Sequence, residues 1–191
     1  MDCLEAIENR RAVRDFTDRR VDKSTVERLI HAALQAPSAM NLQPWAFAAL
    51  LSRERVHDCG ERAKKWMLAH FEETPFARTS EATRLRGILE DREHLLFYNA
   101  PALVIVLAKS ADEQSMEDAC LAAQNLMLAA RAEGLATCWI GLSRAWLNVP
   151  ATKRELKIPE NYAVVAPLLL GYPKAWPEPH GRTPAEIHWL A

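Results

Sequence analysis

Within Arg10-Arg11-Ala12-Val13-Arg14, three guanidinium groups fall inside five positions. A guanidinium keeps its charge at any physiological pH and presents five N–H donors in a fixed fork. A cluster of them therefore suits neighbouring carboxylates, a polyanion, or one phosphate together with an electron-rich ring edge. Glu8, Asp15 and Asp18 stand close enough in sequence to make an ordinary surface ion-pair patch. The whole chain is near neutral, with 24 Lys+Arg against 25 Asp+Glu over 191 residues, and shows no sustained basic stripe interleaved with aromatics. Nucleic acid is thus not the expected partner, and a single phosphate fits the count better.

A second polar concentration is APSAMNLQPWAF, residues 36–47, where Ser38, Asn41 and Gln43 lie between Pro37 and Pro44 just before an apolar run. A third is Cys138-Trp139-Ile140-Gly141, and a fourth is His180-Gly181-Arg182 near the end. Glu90, Glu93 and His94 could place two ligands on one helical face, but they read better as a solvated charged face, and no metal is expected. Cys3, Cys59, Cys120 and Cys138 form no C-x-x-C pair and read as reduced, mostly buried thiols. There is no G-x-G-x-x-G, Walker A, H-E-x-x-H or G-x-S-x-G sequence, and six glycines are few for a loop that cradles a pyrophosphate.

The elements that must position these groups follow from periodicity. Asp2 and Glu5 form a capping box for a short helix ending near Arg10, and Ser24-x-x-Glu27 forms another for a helix whose apolar face is Val26, Leu29, Ile30, Ala33 and Leu34. Pro37 stops that helix. Residues 45–51 read as a buried strand, and Ser52 caps a helix reaching about His70. The pattern weakens around Pro75 and regains helical spacing over 89–98, so a helical excursion over about 60–98 is expected to cap a pocket. Residues 103–108 suit a central strand, and 116–132 a helix closed by Gly134 and apolar on nearly every side, which implies burial against a second subunit. Strands at 136–140 and 163–170 follow, with Asn148 capping a helix to Leu156 between them. The proline-rich tail from Lys174 must wrap over something or hang free. Strands separated by helices, without repeat or linker, indicate one domain over 1–191 with an α/β or α+β layer arrangement. No segment has the sustained apolar length of a membrane span and the N-terminus lacks an apolar leader core, so a soluble cytoplasmic protein is expected.

Taken in order, RRAVRDF, APSAMNLQPWAF, GLATCWIG, LGYP and HGRTPAEIHWL resemble the FMN-dependent nitroreductase family along essentially the whole chain. The resemblance implies an α+β, three-layer fold with a mixed central sheet flanked by helices, in a domain-entwined homodimer with FMN at the subunit interface. It places Arg10, Arg11, Ala12 and Arg14 at the phosphate, ribityl chain and N1/O2 edge of FMN. It makes Pro37, Ser38, Ala39 and Asn41 FMN contacts from the partner subunit, Gln43 structural and Trp45 core. Ile140 and Gly141 would face the ring edge through main-chain atoms, and His180 and Arg182 the phosphate. Two departures stand out: Ala12 replaces a common serine, and His180 takes a usual lysine place, weakening one phosphate contact and making it pH-sensitive. The implied activity is transfer of hydride or electrons from NAD(P)H through FMN to nitroaromatics, quinones or similar acceptors by a ping-pong mechanism. No side-chain acid or base is required, and Arg14 stabilises reduced flavin. The alternative is a flavin-binding carrier or sensor of the same fold. Trp66, Phe71, Phe76 and Phe97 could wall the ring face.

Overall fold

A computed structural model describes residues 1–190. Its sheet has four strands, β1 (Trp45–Leu50), β2 (Ala102–Ala108), β3 (Ala136–Trp139) and β4 (Ala163–Gly171), in the order β1-β2-β4-β3. Every neighbouring pair is antiparallel, so the sheet is not mixed as expected. The parallel element is reduced to an isolated bridge between Ala12 and Thr137, because the N-terminal segment touches β3 at one residue only.

β2 and β4 are buried along their whole length, which explains their unbroken apolar sequences. Alternate residues feed opposite faces. Val104 and Val106 join α2 (Lys23–Ala33) and α5 (Glu113–Ala132) in one core, while Leu103, Ile105 and Leu107 join α3 (Arg53–Ala69) and α6 (Arg144–Leu147) in the other. The result is the three-layer α+β arrangement that the resemblance implies.

Local chemistry moved several boundaries. α1 (Cys3–Asn9) starts as expected, with the Glu5 N–H donating to Asp2 Oδ1 at 2.8 Å. The cap of α2 is Asp22, which accepts from the Thr25 N–H at 2.6 Å, while Ser24 lies inside the helix and donates its hydroxyl to the same carboxylate at 2.8 Å. A carboxylate completes the helix terminus better than a hydroxyl because the terminus carries partial positive charge. Leu34 falls off the buried face at 42% exposure. Asn148 is no N-cap either: it ends α6 and spans to β4, accepting from the Val164 N–H at 2.9 Å and donating to the Val164 carbonyl at 3.0 Å. α7 (Pro150–Glu155) opens instead on a proline, whose missing N–H costs nothing at that position.

In the excursion the helix lies earlier than its spacing suggested: α4 is Ala82–Glu90, and residues 91–100 are turns. The buried Lys64 ammonium takes the Asp91 and His94 carbonyls at 2.6 Å each, removing the acceptors a helix there would need. Leu89 packs with Met67 and Phe71, whereas Leu96 and Phe97 enter the sheet core, so the helical spacing joins residues of two separate clusters. Two of the four thiols, Cys59 and Cys138, are buried, while Cys3 and Cys120 are exposed, so only half of that expectation holds. Burial pushes the Cys59 thiol up to about 12, which keeps it inert. No helix among the described residues is long and apolar enough to cross a membrane.

Candidate active site

Arg10 follows α1, and the chain then runs extended past β3. The Val13 N–H donates to the Thr137 carbonyl at 3.1 Å, so strand alternation turns the main-chain groups of Ala12 to the opposite edge. The Thr17 N–H donates to the Tyr172 carbonyl and the Lys174 N–H to the Asp15 carbonyl, at 2.9 and 3.1 Å. Val13 and Phe16 are sunk in the core, so the arginines between and before them are held outward by buried neighbours.

A cavity of about 650 Å³ opens along this segment, lined by Arg10, Arg11, Ala12 and Arg14 on one side and by His180 and Arg182 on the other. The start of the tail is pinned, the Arg131 guanidinium at the end of α5 lying 3.5 Å over the ring of Trp176, which also lines the cavity, whereas residues 178–190 are exposed on the single chain. Burial and then the charges of Arg182 and Arg11 lower the pKa of Arg10. The cations here repel one another, and the Nε atoms of Arg11 and Arg131 are buried without a hydrogen-bond partner. Arg62, by contrast, makes a bidentate contact of 2.5 Å with Glu155 in a cleft by α3. The one carboxylate in the lining of the Arg10 cavity, Asp15, pairs with Lys174 at 2.9 Å, so the guanidinium groups have no carboxylate partner, which is what a phosphate dianion needs.

Arg14 also lines a second cavity of about 520 Å³, with Cys138, Gly141 and Leu142 on one wall and Leu85, Ile88 and Tyr98 on another. The Arg14 guanidinium carbon stands 5.9 Å from the Tyr98 ring centre. Burial raises the pKa of the Tyr98 hydroxyl, and the positive charge of Arg14 partly offsets that rise. Gly141 opens a 3-10 turn over Gly141–Ser143, so its N–H has no acceptor within the turn. Ile140 does not serve as expected: its N–H donates to the Pro167 carbonyl at 2.9 Å, and its carbonyl accepts from the Ser143 N–H and hydroxyl at 3.1 and 2.8 Å. The polar edge of this wall is therefore Gly141 alone.

The segment after α2 is a separate unit. Its 3-10 turn, Ala39–Asn41, and the following residues carry left-handed backbone at Met40, Asn41 and Gln43, with φ of 50°, 54° and 49°. The Gln43 N–H donates to Ser38 Oγ at 3.0 Å and its side chain to Asn41 Oδ1 at 3.0 Å, which makes Gln43 structural, while Trp45 begins β1 at 4% exposure. Asp118 of α5 accepts from the Ala39 N–H at 3.3 Å through both oxygens. Pro37, Ser38, Ala39 and Asn41 line neither cavity of their own chain. Nor do Trp66, Phe71, Phe76 and Phe97: Phe71 and Phe97 are core, and Trp66 stacks on His70 with ring centres 4.3 Å apart. Sequence reasoning gave no role to Arg84, Tyr98, Asp118, Arg131 or Trp176, and it set His94 with Glu90 and Glu93 on a solvated charged face; Glu90 does accept from Arg86 at 3.0 Å on the exposed surface, but α4 ends there, so Glu93 and His94 lie beyond the helix.

These residues fit FMN as a set: unpaired cations for a phosphate, main-chain groups at Ala12, and Arg14 with the Gly141 N–H beside an apolar slot. The profile of the nitroreductase family matches residues 7–172. A protein of Archaeoglobus fulgidus that carries the name NADH dehydrogenase/NAD(P)H nitroreductase is 30% identical over 178 residues, 91% of this chain and 86% of that one. A nitroreductase with bound FMN from Bacteroides fragilis superposes with a TM-score of 0.81 at 26% identity, covering 100% of both chains. Another with bound FMN, from Desulfitobacterium hafniense, superposes at 0.79 and 25% identity, again over 100% of both. The chain is an oxidoreductase that belongs to the nitroreductase family.

Proposed function

We propose that the two cavities sharing Arg14 form one FMN site, completed at a homodimer interface. On this reading the protein is a cytoplasmic NAD(P)H-dependent flavin oxidoreductase reducing nitroaromatic, quinone or similar electron-poor acceptors by a ping-pong mechanism. The observation that carries it is the guanidinium cluster of Arg10, Arg11 and Arg182, unpaired and mutually repelling, joined through Arg14 to an apolar slot with a free N–H at Gly141. Residues 1–191 act as one unit in which the 60–98 excursion caps the slot.

Bound FMN supplies the relay of hydride and electrons between reductant and acceptor. The protein's part is binding and electrostatics. Arg10, Arg11 and Arg182, with His180, hold the phosphate, and the main-chain groups of Ala12 meet the polar chain next to it. Arg14 offers a fixed positive charge to the N1/O2 edge, where reduction gathers negative charge, in a site whose walls keep the local dielectric low. Leu85 and Ile88 of α4 shield the slot from water. The partner's copy of the 37–41 segment closes the ring from the other side. Leu4 and Leu121, on the packed helices α1 and α5, are 71% and 45% exposed in the single chain, which supports a subunit contact there.

The purified protein should be yellow, lose its colour on mixing with NADH or NADPH, and regain it with a quinone. A protein that retains no flavin after FMN is added and the unbound excess removed overturns the reading, and a yellow protein that neither nucleotide bleaches is the carrier or sensor instead. Arg14→Ala should make the midpoint potential of bound FMN about 30 mV more negative, a tenfold change for a two-electron couple, with less effect on FMN affinity. An unchanged potential removes Arg14 from this role.

A further inference from the structure

The second cavity is lined by hydrogen-bond donors and by no carboxylate. Its polar side chains are Arg14, Arg84 of α4, His94 and Tyr98 of the connection that follows, and Cys138 and Trp139 of β3, set among Leu85, Ile88, Leu96 and Leu142. An apolar slot whose charged groups are cations alone is matched by a flat ligand that carries acceptor oxygens and negative charge.

The donors are held in place before any ligand arrives. His94 stands edge-on to Tyr98, with ring centres 5.4 Å apart at 89°, and its Nε2 is buried with no hydrogen-bond partner. The Lys64 ammonium fixes the carbonyls of Asp91 and His94 on one side. On the other, Arg53 donates to the Asn99 carbonyl at 2.6 Å and to the Thr17 carbonyl at 2.5 Å. Between these anchors Tyr98 and Asn99 take left-handed backbone, φ 47° and 53°, which non-glycine residues adopt only when their surroundings impose it. The segment 91–99 is thus pinned so that His94 and Tyr98 meet the slot in one arrangement. Arg84 differs: its only ion pair here is a 3.2 Å contact with Glu81 in which both side chains are largely exposed. Such a pair is weak and screened, so the guanidinium is free to exchange Glu81 for an anionic group on a ligand.

We propose that the acceptor class of this site is planar, electron-poor aromatics bearing a carboxylate or similar oxyanion, and that Arg84 is the residue that reads the anion. The inference rests on the flavin reading given above. The same cation could instead serve a phosphate of the reducing nucleotide, and the two sources separate by half-reaction.

The test compares 4-nitrobenzoate with its neutral methyl ester as acceptors for the FMN-loaded protein, wild type and Arg84→Met. Wild type should favour the acid by about tenfold in kcat/KM, mainly through KM, as a partly desolvated charge-assisted contact gives. Arg84→Met should lose that preference, and Arg84→Lys should keep part of it. Benzoate, which cannot be reduced, should bind the oxidised protein about tenfold more weakly after Arg84→Met, measured by calorimetry. Equal use of acid and ester by wild type, or a preference that survives Arg84→Met, overturns the proposal and leaves the flavin reading intact. So does a loss confined to the rate of reduction by NADH or NADPH, which assigns Arg84 to the nucleotide. Failure of both acceptors and both nucleotides overturns the flavin reading and this inference with it.

Discussion

Asp118 gives the sharpest link between packing and cofactor. It is a polar side chain at 2% exposure on α5, and it holds the start of the 38–43 segment through the Ala39 N–H. That N–H is shared between two oxygens at 3.3 Å, beyond the usual N–H···O range, and Gln114 adds one more donor at the same distance. Two oxygens sharing one N–H do not make two bonds, so removing the carboxyl should cost about 1–2 kcal/mol, within the range for leaving a buried donor unpaired. The segment has little in reserve. Met40, Asn41 and Gln43 are left-handed without being glycine, at roughly 1 kcal/mol or more each, and without the anchor they relax toward ordinary backbone. If these residues close over FMN, their ordering becomes part of the binding free energy, and about 1.5 kcal/mol of lost order weakens FMN about tenfold. Titration of the apoprotein with FMN, followed by flavin fluorescence, measures this directly for Asp118→Ala. Asp118→Asn keeps one acceptor oxygen and should fall between. The reasoning is refuted if Asp118→Ala lowers the melting temperature while the FMN dissociation constant stays within about twofold of wild type, because the segment is then structural only.

Three further outcomes follow from particular contacts. A Cβ added at Gly171 would sit 2.7 Å from Pro101 Cδ and Cγ and 2.8 Å from Phe16 Cδ1, all parts of rigid rings, so Gly171→Ala should cost about 2–4 kcal/mol and lower the calorimetric melting temperature by roughly 4–12 °C. An unchanged melting temperature would mean that the N-terminal segment is free to move away. The caps Asp22 and Asp112 are both lowered to about 2, first by the backbone N–H groups of Thr25 and Ser115. Their folded values lie below the ordinary 3.8, so their contribution is complete above about pH 4 and is lost as pH falls toward 2; Asp22→Asn and Asp112→Asn should flatten the melting temperature over that window. Arg182→Ala should weaken FMN about tenfold yet leave the apoprotein as stable as wild type or more so, seen by melting with and without FMN, and a destabilised apoprotein would contradict the repulsion between Arg182 and Arg10.

Much of this was legible in the residues, for reasons that differ by element. β2 and β4 announced themselves because burial on both faces demands unbroken apolar runs, and α3 because Ser52 caps its start. What escaped was set by tertiary partners. Nothing near Leu89 or Tyr98 says that Lys64, some thirty positions earlier, will take the carbonyls a helix would use. Nothing local to Ile140 says that Pro167 will occupy its N–H. By residue type alone the arginines read first as surface ion pairs, and only the family resemblance assigned them to a site. Their surroundings differ in the fold, since Arg62 finds Glu155 whereas Arg10 finds Arg11 and Arg182.

That contrast explains why the site stands where it does. Folding tends to pair charges, because an unpaired, partly buried guanidinium forfeits hydration without recompense. Here Arg10 is depressed first by burial and then by two like charges, and Arg131 first by burial, yet the chain holds them together by burying Val13 and Phe16 beside the arginines and by laying Trp176 on Arg131. The cluster persists because hydrophobic anchoring outweighs a modest repulsion, and an anion that binds there is stabilised by cations already gathered and partly dehydrated. Donors fixed in advance need no reorganisation on binding, so the repulsion held in the fold reappears as affinity. The slot beyond Arg14, with no carboxylate in its lining, repeats the arrangement in milder form, with left-handed backbone at Tyr98 and Asn99 in place of repelling charges.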